Sequence, residues 1–320
     1  MPIGSPALAK HARTRPLRAQ GDLFSKEADE QGSLSARRTS AARTARLPSA
    51  LDAPAQPFLK WAGGKTQLLS QLFPLLPERM TGTYHEPFIG GGAMFFALAP
   101  ARAVISDLNP ELVNCYRVLR TKVDALVDAL GEHVYEKEHY YAVRAQEPEQ
   151  LPDVQRAARF IFLNRTCFNG LHRVNRKGQF NVPFGKYTNP TICDEANLRR
   201  VSAALAYVDV HHSGYSDVLE RAERGDFVYF DPPYAPLSAT SSFTAYTSSS
   251  FGPQQQEELR DVCRELDRRG CKVMLSNSSA QFIRDLYRDF DVREVYATRA
   301  INRDASKRGP IAELVVRNYQ

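Results

Sequence analysis

The chain has 320 residues, 43% of them hydrophobic, enough for one large domain or two modest ones. No apolar run approaches the roughly 18 residues of a membrane span, and no apolar segment follows the basic residues of the N-terminus, so neither a membrane anchor nor a secretory signal is expected. Five cysteines (Cys115, Cys167, Cys193, Cys263, Cys271) form no CxxC pair and no Cys/His spacing, which argues against structural zinc or a disulfide framework and for a reducing cytoplasm.

The net charge of +6 is unevenly spread. Residues 1–56 hold nine Lys/Arg against five Asp/Glu, a surplus of four, and leave 33 minus 31, or +2, for the rest. This segment is rich in Ala, Arg, Ser, Pro and Gln without sustained periodicity and reads as a disordered basic tail. Folding is predicted from about Pro57, where short apolar runs alternate with helical patterns. Strands are expected at Tyr84-His85-Glu86-Pro87-Phe88, Ala103-Val104-Ile105-Ser106, Val208-Asp209-Val210, Phe227-Val228-Tyr229-Phe230 and Lys272-Val273-Met274-Leu275-Ser276. Helices should follow Gly92, Asn109, Gly252 and Ser279. His211-His212 reads as a strand end rather than a ligand pair. Such alternation argues for an α/β fold with a mostly parallel, Rossmann-like sheet. Residues 292–300 and 311–318 suggest a closing antiparallel hairpin.

Residues 116–204 break the pattern, being mostly helical and then Gly- and Asn-rich around Asn175 to Gly178. They read as an inserted domain, which leaves 57–115 and 205–320 for the catalytic domain. Between Asp153 and Asp194 no carboxylate occurs, yet Arg156, Arg159, Arg165, Arg173, Arg176, Lys177 and Lys186 do. A field of one sign suits a polyanion; an ordinary solvated face is the alternative.

Two segments resemble cofactor loops. In Glu86-Pro87-Phe88-Ile89-Gly90-Gly91-Gly92-Ala93 a strand passes into a helix through glycines that let backbone approach a ligand. The next strand ends in Asp107-Leu108-Asn109, where a doubly wound fold reads ribose hydroxyls. Phe95 stands where the last glycine of G-x-G-x-x-G belongs, which disfavours a dinucleotide and leaves S-adenosylmethionine. Ala62-Gly63-Gly64-Lys65-Thr66 ends like a phosphate loop, but Leu59 replaces its first glycine and no strand precedes it. Lys65 and Trp61 suit a carboxylate and a sulfonium or aromatic contact instead.

Asp231-Pro232-Pro233-Tyr234 follows the apolar run 227–230 and carries the most chemistry. An aryl amine delocalises its lone pair into the ring and is a poor nucleophile. Two acceptors against its N–H bonds, a carboxylate and a backbone carbonyl fixed by proline, favour a pyramidal nitrogen, and a tyrosine ring gives the base a face to stack on. A plain Pro-rich turn would also use Asp and Pro.

Taken in order, Phe58-Leu59-Lys60-Trp61-Ala62-Gly63-Gly64-Lys65, the glycine turn and the 231–234 corner resemble Dam-type (D12 class) DNA adenine methyltransferases over about residues 57–320. Asn164-Arg165, Asn169-Gly170-Leu171, Arg173, Gly178, Phe180-Asn181-Val182-Pro183-Phe184-Gly185 and Tyr187 resemble that family's target-recognition hairpin. Ala235-Pro236-Leu237-Ser238-Ala239-Thr240 and Phe243-Thr244-Ala245-Tyr246 resemble its active-site loop. The resemblance implies methylation of the exocyclic amine of adenine in double-stranded DNA, in GATC, with base flipping and in-line transfer and with neither metal nor covalent intermediate. Asp231, Pro232, Pro233 and Tyr234 would be catalytic. S-adenosylmethionine would be held by Trp61, Lys65, Phe88, Gly90, Gly92, Asp107 and Asp231. Phe168, where the family usually has Tyr, would wedge into the duplex, Arg173 would read guanine, and Leu171, Pro183 and Tyr187 would read neighbouring pairs. Lys60, Asn169, Asn175, Asn181 and Lys186, the last often Arg in the family, would supply phosphate or flanking contacts. Thr166-Cys167 departs from the family's aromatic-glycine pair.

A monomer at the bacterial nucleoid is the matching expectation. A solitary regulator of replication and repair and the partner of a restriction nuclease both fit one chain. The same chemistry serves RNA adenine, protein glutamine and DNA cytosine, and an inactive DNA-binding module is a further alternative. In the tail, Gln20-Gly21-Asp22-Leu23-Phe24 resembles the peptides with which bacterial DNA enzymes dock on the replication sliding clamp; an idle tail is the alternative reading.

Overall fold

Strand β4 (Phe227–Phe230) has all four residues buried, as a strand covered on both faces requires. Its side chains alternate between two cores: Phe227 and Tyr229 join one hydrophobic cluster, Val228 and Phe230 the other. It is the middle of a seven-stranded sheet in the order β3-β2-β1-β4-β5-β7-β6, built from β1 (Tyr84–Glu86), β2 (Ala103–Asp107), β3 (Val208–His212), β4, β5 (Lys272–Ser278), β6 (Asp291–Thr298) and β7 (Pro310–Arg317). The computed structural model describes residues 53–237, 251–298 and 310–320. The Gln20-Gly21-Asp22-Leu23-Phe24 segment and the Ser238 to Tyr246 part of the active-site stretch lie outside the described residues.

Strands β1 to β5 pair in parallel, and β7 runs antiparallel between β5 and β6. The Rossmann-like sheet and its closing hairpin are therefore as expected. β1 is shorter than predicted because Pro87 has no N–H to continue the ladder. His211 and His212 belong to β3, in register with Ser106 and Asp107 of β2. The strand order reverses between β1 and β4, which pair with Tyr84 opposite Phe227. Their connections leave to opposite sides, so a crevice opens beyond their carboxyl ends.

The first helix, α1 (Leu69–Leu72), precedes β1, and α2 (Ala93–Leu98) follows the glycine turn. Helix α3 (Pro110–Thr121) starts as its sequence dictates: Asn109 Oδ1 accepts the amides of Glu111 and Leu112 at 3.0 and 3.2 Å, and Pro110 takes the first helical position. Helices α4 (Val123–Gly131), α5 (Lys137–Ala145), α6 (Asp153–Thr166) and α7 (Glu195–Ala204) fill the inserted stretch. After β4 come α8 (Pro253–Arg269), ended by Gly270 in the left-handed conformation at φ +82°, and α9 (Gln281–Leu286).

Helix α3 spans position 116, and one hydrophobic cluster runs from β1 and β2 through α3, α4, α6 and α7. A smaller cluster of Tyr140, Val143, Phe162, Leu163, Cys167 and Val182 belongs to the inserted stretch alone. Gln56 is already tied to the folded part: its amide donates to Asn197 Oδ1 at 3.0 Å, and Asn197 Nδ2 donates back to its carbonyl. None of the described helices is long and apolar enough to cross a membrane.

Candidate active site

The glycine turn between β1 and α2 is clasped from three sides. Gly90 has φ +47° and lies under Trp61, whose ring Cδ1 and Nε1 would stand 2.8 and 2.9 Å from any Cβ added there. Only glycine combines that backbone conformation with that clearance. Its amide donates to Asp107 Oδ2 at 3.1 Å, and its carbonyl accepts the Tyr116 hydroxyl at 3.0 Å. Asp107 also accepts the Asn109 amide at 2.9 Å. Burial raises the Asp107 carboxyl above the ordinary range against the pull of these amides. At Gly92, φ +73°, a Cβ would meet the Tyr116 hydroxyl and Phe96 at 2.7 and 2.8 Å. Phe88 stacks on Tyr215, centroids 5.5 Å apart, and meets Phe251 edge-on at 5.6 Å, which makes one wall of the crevice aromatic.

Asp231 emerges at the end of β4. Lys65 Nζ lies 2.8 Å from its Oδ1, 2.6 Å from the Gly63 carbonyl and 4.8 Å from the centre of the Tyr234 ring. Lys65 is only 4% exposed, so the loop 61–65 serves to bring a cation to the corner rather than to a phosphate. Burial raises the Asp231 carboxyl above its usual value; the Lys65 charge opposes this, and Glu313 adds to it. Burial also pushes the Tyr234 phenol well up, with Asp231 and Glu313 acting in the same direction. The Tyr234 hydroxyl donates to Glu313 Oε2 at 2.7 Å. Glu86, 3% exposed at the end of β1, accepts the Tyr84 hydroxyl at 2.7 Å, and burial drives its carboxyl well above the ordinary range.

Two sets of contacts, Trp61 with Gly90 and Asp107, and Lys65 with Asp231 and Tyr234, thus gather at the carboxyl edge of β2, β1 and β4. The donor set suits S-adenosylmethionine: a side-chain-free turn, an aromatic face, a carboxylate at the tip of β2 and a buried ammonium for a carboxylate. Sequence reasoning left out Tyr116, Glu313, Gln256 and Asn277. Tyr116 reads as one more apolar position of an amphipathic helix, and the other three reach the site from distant elements.

The predicted recognition residues gather on the segment after α6. Phe168 and Leu171 are 49% and 40% exposed, unusual for large apolar side chains. Asn169 is exposed at φ +55°, a conformation Asn tolerates better than most residues. The Phe168 amide donates to the Pro183 carbonyl at 2.9 Å. Arg173 donates from Nε to Asn181 Oδ1 at 2.6 Å and from a terminal nitrogen to the Asn181 carbonyl at 3.1 Å. Asn175 Oδ1 accepts the amides of Lys177 and Gln179 at 2.9 and 3.0 Å and shapes the turn. The hairpin is held by isolated bridges, Val174 to Phe180 and Cys167 to Phe184, rather than by long strands. Lys60 Nζ sits 4.0 Å over the Tyr187 ring, and Tyr187 donates to the Cys167 carbonyl at 2.9 Å; Lys186 is exposed.

The acid-free stretch is less uniform in space than in sequence. Arg159 is 4% exposed and donates to the Val143 and Arg144 carbonyls at the end of α5, a helix-terminus contact. Arg156 pairs with Glu111. Burial and an acid from another helix remove both from any polyanion surface. His172, between Leu171 and Arg173, stacks on Trp61 at 5.6 Å and 25°, so recognition arm and glycine turn share one aromatic stack. Asn164 ties the same parts, bonding both the amide and the carbonyl of Lys60 at 2.8 Å and the Gly170 carbonyl at 3.2 Å.

Comparison with known proteins agrees with this geometry. The family described as D12 class N6 adenine-specific DNA methyltransferase matches residues 61–301. Type II methyltransferase M1.LlaDCHI of Lactococcus lactis subsp. cremoris is 45% identical over 272 residues, 82% of this chain and 95% of that protein. Type II methyltransferase M.MjaIII of Methanocaldococcus jannaschii is 45% identical over 286 residues, 82% and 99% of the two chains. DNA adenine methylase of Escherichia coli (strain K12) is 35% identical over 262 residues, 81% and 93%. With a corner at the end of β4 suited to an exocyclic amine and a family match across most of the folded chain, the protein belongs to the D12 class of N6 adenine-specific DNA methyltransferases.

Proposed function

We propose that the enzyme uses S-adenosylmethionine to methylate adenine in double-stranded GATC, with the base flipped out of the duplex. The observation that carries this reading is the meeting of Asp231, Lys65 and Tyr234 beside the Asp107-clasped glycine turn. Trp61, Lys65, Phe88, Gly90, Gly92, Asp107 and Asp231 would hold the cofactor, which when bound supplies an electrophilic methyl on a sulfonium that is its own leaving group. Tyr234 stacks on the flipped base, at a cost of a few kcal/mol for unstacking. Asp231 and the Pro232 carbonyl accept the two amine N–H bonds and orient the nitrogen lone pair. Residues 116–204 act as the target-recognition part: Phe168 wedges, Arg173 reads guanine, Leu171, Pro183 and Tyr187 face neighbouring pairs, and Lys60, Asn169, Asn175, Asn181 and Lys186 stand at flanking or phosphate positions. Such a substrate places the enzyme at the nucleoid.

The test is transfer of labelled methyl to three duplexes: one with a single GATC, one with its adenine replaced, one with its outer G·C pair swapped. Label on the first alone is expected. Label on the first and third would keep the chemistry and remove the sequence assignment.

A pH dependence follows from the burial of Asp231. A carboxyl raised above the free aspartate value of about 3.9 keeps its proton to higher pH, and the protonated form loses the acceptor that the amine needs. The acid limb of kcat/KM is expected above that value, with activity lost as pH falls through it. A limb at or below about 3.9 in a pH–rate profile would contradict the role given to Asp231.

The tail adds a second partner. Gln20-Gly21-Asp22-Leu23-Phe24 offers a Leu-Phe anchor with a polar lead-in, the composition of a clamp-docking peptide. A synthetic peptide covering residues 15–30 is expected to bind purified sliding clamp in a polarisation titration, and no binding at high micromolar concentration ends this assignment.

A further inference from the structure

Tyr234 is held at three points by residues from three other elements. On its N-terminal side the Pro233 carbonyl accepts Gln256 Nε2, from the first turn of α8, at 3.0 Å. On its C-terminal side the Ala235 amide donates to Asn277 Oδ1, from β5, at 3.2 Å. The two amide side chains are joined, Asn277 Nδ2 donating to Gln256 Oε1 at 2.9 Å, and are 1% and 0% exposed. Buried amides in such a closed arrangement have little room to rearrange, because any turn of one strands a polar group of the other. With the backbone fixed on both sides, the freedom left to the Tyr234 ring is torsional. The third contact addresses that freedom: the phenol donates to Glu313 Oε2 of β7 at 2.7 Å, across 79 residues of sequence.

On the reading that Tyr234 stacks on the target base, we infer that Glu313 is a positioning residue for methyl transfer, setting the plane of the Tyr234 ring through its hydroxyl. The Gln256–Asn277 pair provides the fixed backbone against which that bond works. A ring free to turn about its torsions would stack on the base in many orientations, few of which place the amine against Asp231. Glu313 touches neither of the reacting atoms in this assignment; its bond to the phenol is the contact that sets the ring, and Glu313→Gln separates that bond from the charge that Glu313 places near Asp231.

The test is a mutant cycle read on bacterial chromosomal DNA lacking methyladenine, with saturating cofactor. Glu313→Ala and Tyr234→Phe each remove one partner of the same bond. Each is expected to lower kcat about tenfold, the worth of one hydrogen bond to a carboxylate. KM for the cofactor should hold, and the double variant should be no slower than either single. Glu313→Gln keeps an acceptor and should recover most of the rate, and thermal melting checks that each variant is folded. Additive losses, or a Glu313→Ala enzyme at wild-type kcat with only a lowered melting temperature, would make Glu313 a structural residue of β7 and overturn the inference. Tyr234→Ala is the control for the underlying reading. If it turns over like wild type, the stacking role fails and the inference falls with it; if it is inactive while the cycle is additive, the inference alone falls.

Discussion

Asp231→Ala is expected to bring methyl transfer below detection while the protein still binds duplex DNA. Loss of one preorganised acceptor at a reacting centre costs about 10²–10³ in kcat, and here the same carboxylate is also the partner of the buried Lys65 ammonium. Removing it leaves Lys65 with the Gly63 carbonyl and the Tyr234 ring, contacts that do not neutralise its charge. A buried charge deprived of its partner destabilises by about 3–5 kcal/mol, so thermal melting must accompany the assay. Asp231→Asn keeps an oxygen acceptor and the shape of the corner, and should fall between the two. Duplex binding should survive because the residues proposed to recognise DNA lie mainly on the segment after α6 and not on the corner. Turnover within about tenfold of wild type, less than the worth of one preorganised acceptor, would remove Asp231 from the chemistry.

Arg173→Ala is expected to relax sequence choice at one base pair, with a loss of about 1–3 kcal/mol in discrimination. The guanidinium is already oriented by Asn181 before any DNA arrives, through bonds of 2.6 and 3.1 Å. A preorganised fork loses less freedom on binding than a solvated one, which is how an arginine comes to read a guanine edge rather than only neutralise a phosphate. Arg173→Lys should therefore fail to restore discrimination although it keeps the charge. Transfer rates measured on duplexes differing at each outer pair would show the pattern. A uniform loss on every sequence, with the salt slope of binding reduced by about one, would make Arg173 a phosphate contact.

Much of the architecture was legible along the chain because its signals are local. The four-residue apolar run of β4 and the Asn109-Pro110 start of α3 each depend on neighbours within one turn. The Asp231-Pro232-Pro233-Tyr234 corner and the glycine turn were legible for the same reason, since strand-to-loop chemistry is written in consecutive residues. Charge was read less well. In sequence Arg156 and Arg159 look like Arg176 or Lys177, and only packing shows that Arg159 is buried and Arg156 paired with Glu111.

By itself the sequence determined the fold class, through strand and helix patterns with periods of two or about 3.6 residues, and it carried the 231–234 corner and the family resemblance as short contiguous motifs. Only the tertiary structure decided which distant residues complete the site: Lys65 against Asp231, Tyr116 under the glycine turn, His172 on Trp61, and Gln256, Asn277 and Glu313 around Tyr234. The physical reason is that a pairing across tens of residues is set by strand order and helix packing. It leaves no periodicity of its own, and a buried hydrogen-bonding side chain has the same letter as a solvated one.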